Sequence, residues 1–157
     1  MKIKGLESLN YKIPVVLKAG EKATTAYLDP LPYDFYSQLL ADVPEPELEI
    51  SGFAKKNGHI VKDENNEAIP IREKTQKYIA EQNRVQNLHN VATVYEATKN
   101  CFEYTTLDTG KTRREFLEEV AEELRESGFT VQQMMCVIHA VQKDSGIASI
   151  TEEKKTS

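Results

Sequence analysis

The sequence predicts a mainly α protein: a long helix plus a C-terminal helical hairpin, with a small β hairpin near the N-terminus. Three observations predict it. Between Ile71 and about Asn100 the chain has neither glycine nor proline, and Tyr78, Val85, Leu88, Ala92, Tyr95 and Phe102 recur at three-four spacing. From Lys111 to Gly146 two helix signatures with start and stop signals follow one another across a very short turn. Near the N-terminus, two β-leaning segments, Tyr11–Leu17 and Thr24–Leu28, flank Ala19-Gly20-Glu21-Lys22.

Taken in order, the β hairpin comes first. Pro14 has no amide to donate, which suits an edge strand. A lone hairpin is marginal in water, so this one must lie on helices or on another copy of the chain. A short helix follows, capped by Asp29 or a nearby residue, with proline tolerated in its first turn and Pro32 disfavouring helical geometry at Leu31. Phe35, Tyr36, Leu39 and Leu40 lie at helical spacing and are expected in the core. Residues 43–70 mix prolines, acids, Asn-Asn and two glycines without a sustained period. They read as a long loop or semi-extended arm, with a weak hairpin across Asp63–Asn66.

The long helix would span ~45 Å at 1.5 Å per residue. Its apolar stripe is narrow and interrupted by Gln82 and Lys99, which suits antiparallel packing on the C-terminal pair or self-association. In that pair, Thr112 is the first N-cap, with Glu115 as capping-box partner, and Phe116, Leu117, Val120, Ala121 and Leu124 form one stripe. Ser127 and Gly128 stop the helix. Thr130 and Gln133 restart it, Phe129 and Met134 occupy staple positions, and Val131, Met134, Met135, Ile138 and Val141 form the second stripe before Gly146. Most of these residues read as hairpin core. The sharper expectation is that part of the Phe/Met surface docks a partner, since methionine adapts to varied apolar ligands. Residues 1–146 read as one domain, and 147–157 as a solvated tail.

Composition narrows the function classes. The 157 residues carry a net charge of −5 with a pI near 5.3, which argues against a general phosphate-backbone binder. No apolar run is long enough to span a bilayer, and the N-terminal segment lacks the apolar core and cleavage site of a signal peptide. Two isolated cysteines, Cys101 and Cys136, suit a reduced intracellular setting. The glycines are scattered and form no phosphate-cradling loop, and no serine sits in a nucleophile elbow. Cys101 with a distant histidine lacks any local catalytic signature.

Cys136 and His139 are three residues apart on one helix, with Cys101 or His89 as a conceivable third ligand. No second paired motif completes a zinc set, so no metal and no cofactor is expected. Cys136 reads as a small core residue and His139 as a boundary residue. Glu115, Glu118, Glu119, Glu122, Glu123 and Glu126 lie opposite the apolar stripe and read as a solvated face rather than acid–base machinery. The hairpin also admits a helix-turn-helix DNA-binding regulator, with Gln132 and Gln133 as base readers. Lys143 is that helix's only cation, and the acidic helix before it would repel phosphates.

A Tyr-Leu-x-Pro-Leu segment (Tyr27–Leu31), a Pro/acid loop, a long polar helix and a closing Gly-Phe-Thr-x-x-x-Met turn (Gly128–Met134) follow in this order. Over residues 22–147 this pattern resembles the tail assembly chaperones of long-tailed bacteriophages. The resemblance implies a non-enzymatic protein of the host bacterial cytoplasm. It would coat the tape measure protein before tail tube protein polymerises around it, and would act through multivalent weak apolar contacts. It places the partner-binding groove at Phe129, Met134, Met135 and Ile138, and self-association is expected. It also implies ribosomal slippage near the end of the frame, for which the codons of Glu153-Lys154-Lys155 are the candidate site.

Overall fold

The computed structural model describes Lys4 and residues 11–144. Its elements are β1 (Ile13–Ala19), β2 (Lys22–Leu28), α1 (Phe35–Asp42), β3 (Glu49–Phe53), β4 (Lys55–Lys56), β5 (His59–Ile60), β6 (Pro70–Glu73), α2 (Gln76–Thr98), α3 (Arg113–Glu126) and α4 (Val131–Asp144). Among the described residues, four helices hold 44% and antiparallel strands 21%. The fold is therefore mixed α/β, and the expectation of a mainly α protein is overturned. The tail at 147–157, Gly146 and the lysine pair Lys154-Lys155 lie outside the described residues. Among the described residues no helix is long and apolar enough to cross a membrane.

The extra strands come from the segment read as a loop. Asn57 and Gly58 both adopt positive φ, 54° and 79°, as a two-residue type I′ hairpin turn requires, and Lys55 and Lys56 pair there with Ile60 and His59. A second turn covers Asp63–Glu67. The Asp63 carboxylate accepts from the amides of Asn65 and Glu67 at 2.9 Å each, and Asn66 takes φ 64°. A bridge between Lys62 and Ala68 and the β3–β6 ladder, with a bulge between Ile50 and Gly52, complete an antiparallel arm. Because Pro70–Glu73 pairs in this ladder, α2 starts later than the breaker-free run suggests. It is about 34 Å long rather than ~45 Å.

The chain forms two compact units, one made of residues up to Val43 together with those from Leu88, the other of Pro44–Asn87. The first unit is built around the C-terminal half of α2. Val91, Ala92, Thr93 and Val94 are consecutive and all buried, and Leu88, Ala97 and Thr98 join them. Four consecutive positions cover a full turn, so this half-helix is enclosed on every side and has no single stripe. The threonines behave as apolar residues here because their hydroxyls are satisfied locally. Thr93 donates to the His89 carbonyl at 2.9 Å and Thr98 to the Val94 carbonyl at 2.6 Å.

Around α2 pack the inner face of the β1–β2 hairpin (Ile13, Leu17, Ala26, Leu28), Phe35 and Leu39 of α1, Phe116, Leu117, Val120 and Leu124 of α3, and Val137, Ile138 and Val141 of α4. β1 lies against α4, where the Gln133 side chain donates to the Lys18 carbonyl at 2.9 Å. Asp29 does not cap α1; Asp34 stands at that position. The Asp29 carboxylate instead pairs with Lys12 and accepts from Asn100 at 2.6 Å, while its amide donates to the Ala97 carbonyl at 2.9 Å and closes the C-terminus of α2. Leu40, expected in the core, is 50% exposed.

The α3–α4 turn follows its sequence signals. Thr112 accepts from the Glu115 amide at 3.2 Å, and Thr130 and Gln133 exchange hydrogen bonds of 2.9 and 3.1 Å. Gly128 sits at φ 78°, its amide donating to the Arg125 carbonyl and that of Phe129 to the Leu124 carbonyl, which is the Schellman pattern. A Cβ at Gly128 would meet nothing within 4 Å, so a substitution there costs backbone strain alone. Gly128→Val should destabilise by about 1 kcal/mol or more, measured by chemical denaturation. Gly128→Asn, which tolerates the left-handed region, should recover much of that loss.

Candidate partner-binding site

The exposed end of the first unit is organised by a chain of aromatic rings. Phe116 meets Tyr95 edge-on at 5.0 Å, Tyr95 meets Tyr104 at 5.1 Å, Tyr104 lies 6.2 Å from Phe102, and Phe102 meets Phe129 at 5.8 Å. The Arg113 guanidinium covers the inner end, 5.1 Å from the Phe116 ring and 5.7 Å from the Tyr95 ring. The outer end opens into a shallow cleft of about 510 Å³ at the α3–α4 turn, lined chiefly by Phe102, Tyr104, Glu123, Leu124, Phe129 and Gln133.

Two ionisable groups hold the cleft's shape. Glu123 reaches from α3 to the loop before it. Its carboxylate accepts from the amide and hydroxyl of Thr105 and from those of Thr106, the latter at 3.2 and 2.8 Å. Burial pushes its pKa up, but these hydrogen bonds outweigh burial and hold it down at about 2. Tyr104 is half-buried beside it and bonded to the Thr98 hydroxyl at 2.7 Å. Burial, opposed by that hydrogen bond and reinforced by Cys101, Glu123 and Tyr95, raises its pKa to about 12. Near neutral pH the pair is one fixed anion and one fixed neutral phenol, which suits a rigid wall rather than proton transfer.

The four residues expected at the groove do not form one patch. Phe129 is half-buried in the cleft, and Met134 is half-buried one turn into α4. Met135 is 49% exposed on the outside, whereas Ile138 is core at 5%. The buried line of α4 runs through Val137, which the spacing leaves out, and Val131 of the expected stripe is 76% exposed. Val131 and Met135, one turn apart, therefore form an apolar ledge that the fold leaves uncovered.

Cys136, expected as a core residue, is exposed, as is His139, and among the described residues no three His, Cys, Asp or Glu side chains are placed to hold a metal ion. Partial burial of the Cys101 thiol, followed by the nearby Asp29 carboxylate, raises its pKa and disfavours the nucleophilic thiolate. The signal that sequence reading missed was Val137: β1 covers the side of α4 that carries it, which turns Val131 and Met135 outward. Comparison with protein-family models, curated proteins and solved structures finds no match to this chain.

Proposed function

We propose that this protein is a non-catalytic binding protein that shields an extended, partly apolar client, as a tail assembly chaperone shields the tape measure protein of a long-tailed phage in the host cytoplasm. The observation that carries the reading is the Val131–Met135 ledge beside the Phe129 cleft, two exposed apolar side chains one helical turn apart next to an aromatic-lined opening. A rigid ledge of small area gives weak contacts, and a long client bound by many copies converts these into avidity. The order of sequence features that resembles the chaperones supports the same reading.

The helix-turn-helix alternative is less well supported. Gln133, one of its two base readers, is committed to Thr130 and to the Lys18 carbonyl.

The test is co-expression with a phage tape measure protein, followed by pull-down. Met135→Glu combined with Val131→Glu should abolish capture while leaving the circular dichroism spectrum and melting midpoint close to those of the parent. Ile138→Glu should unfold the protein, because it buries a charge in the core. Undiminished capture by the double variant, or no capture by the parent, would refute the proposal.

A further inference from the structure

The cleft at the α3–α4 turn has a chemistry that the Val131–Met135 ledge lacks. Its walls are aromatic and anionic together. Phe102, Tyr104 and Phe129 are each half-buried, so part of each remains open to the cleft. The face of an aromatic ring carries the negative lobe of its quadrupole and attracts a cation. Two carboxylates, Glu103 and Glu123, line the same cleft, and no lysine, arginine or histidine does.

Further negative potential comes from the way these groups are held. Glu123 is kept ionised by the four hydrogen bonds it accepts from Thr105 and Thr106. Glu103 is exposed and, among the described residues, has neither a hydrogen bond nor an ion pair, so its charge is free for a ligand. Ser127 and Gly128, which close the cleft, stand at the C-terminal end of α3, where the helix dipole is negative. The cations of neighbouring elements do not cancel this field from within. Arg125 pairs with Glu122. Lys18 lies on the strand face opposite the buried Leu17. Lys22 is set opposite Ala19 across the hairpin turn and is not part of the lining.

We propose that this cleft takes a lysine or arginine side chain of the client, with its methylene stem against Phe102 and Phe129 and its charged head at Glu103. Long basic side chains have this divided chemistry, an apolar stem and a cationic tip. An inorganic cation fits less well, since among the described residues no three His, Cys, Asp or Glu side chains are placed to hold one. The ledge contact is apolar and nearly indifferent to sequence, so the cleft adds a preference for client segments with a basic residue close to an apolar one. The proposal rests on the client-shielding reading for the source of that side chain, whereas the cleft's preference for it is tested with a small molecule.

Titration of the full isotope-labelled chain with N-acetyl-arginine amide tests it, read by NMR at the amides of Phe102, Gly128 and Phe129. The shifts should saturate. The same titration with N-acetyl-citrulline amide, an uncharged analogue of the same shape, should give no saturable shift. Glu103→Gln should weaken the arginine probe about two- to fivefold, the worth of one exposed ion pair, and Glu103→Lys should abolish its binding. Glu103 is exposed, so neither variant threatens the fold. Arginine and citrulline probes that bind alike overturn the proposal. So does an arginine probe without saturable shifts at those amides, or a Glu103→Lys variant that binds it as the parent does. Capture of the tape measure protein is a separate readout. If the parent binds the arginine probe yet captures no client, the cleft's preference stands and the client reading falls. If capture proceeds and the probe does not bind, the cleft proposal falls alone.

Discussion

Phe116→Ala should lower the unfolding free energy by about 3–5 kcal/mol, a large share of the total stability of an ordinary domain. Phe116 is 0% exposed and begins the ring chain that leads through Tyr95, Tyr104 and Phe102 to Phe129. Removing it leaves a cavity against α2 and takes the aromatic face from beneath Arg113. Phe116→Leu, which refills most of the volume, should cost about 1–2 kcal/mol. Urea denaturation followed by circular dichroism separates the two. Equal losses for Ala and Leu would show that cavity volume does not set the cost at this position.

The second large effect is electrostatic. Glu123 has a folded pKa of about 2 against 4.5 ordinarily, so its hydrogen bonds to Thr105 and Thr106 stabilise the fold fully above about pH 5. The sign follows from the depressed pKa. Below about pH 4.5 the unfolded chain takes up the proton first, so the contribution shrinks as pH falls and is lost by about pH 2. Glu123→Gln should cost about 1–2 kcal/mol at neutral pH after allowance for solvent screening, and almost nothing at pH near 2. Melts of parent and variant between these limits should converge as pH falls. Parallel curves would mean that the Thr105–Thr106 loop is held by other contacts.

The local grammar was legible where one short stretch carries the whole cause. Thr112, Gly128 and the Thr130–Gln133 pair satisfy or spare backbone groups within a few residues of themselves, and nothing distant is needed to fold them that way. The same holds for Asn57-Gly58, whose left-handed pair is a strong hairpin signal on its own. The surrounding prolines and acids mask it as loop, whereas the hairpin expected across Asp63–Asn66 does form, with Lys62 bridging to Ala68.

Burial was less legible, because it belongs to neighbours. Leu40 and Val131 carry the same apolar chemistry as Leu39 and Val137, yet the first two are half-exposed or more and the second two are core. Periodicity says that a helix has an apolar side; it does not say how far round the covering elements reach. On the C-terminal half of α2 they reach all the way, so that Val91 and Val94, off the expected stripe, are as buried as Leu88 and Ala92 on it.

The sequence by itself determined the caps and turn of the α3–α4 pair and the N-terminal hairpin, since each is a property of adjacent residues. Only the tertiary structure decided which side of α4 is core, that Ile138 is buried while Met135 is exposed, and that Glu123 clamps a loop instead of joining a solvated face. The physical reason is the range of the forces involved. Backbone hydrogen bonds in caps and turns close over three to five residues, whereas burial and the pKa of a carboxylate depend on groups tens of residues away in the chain.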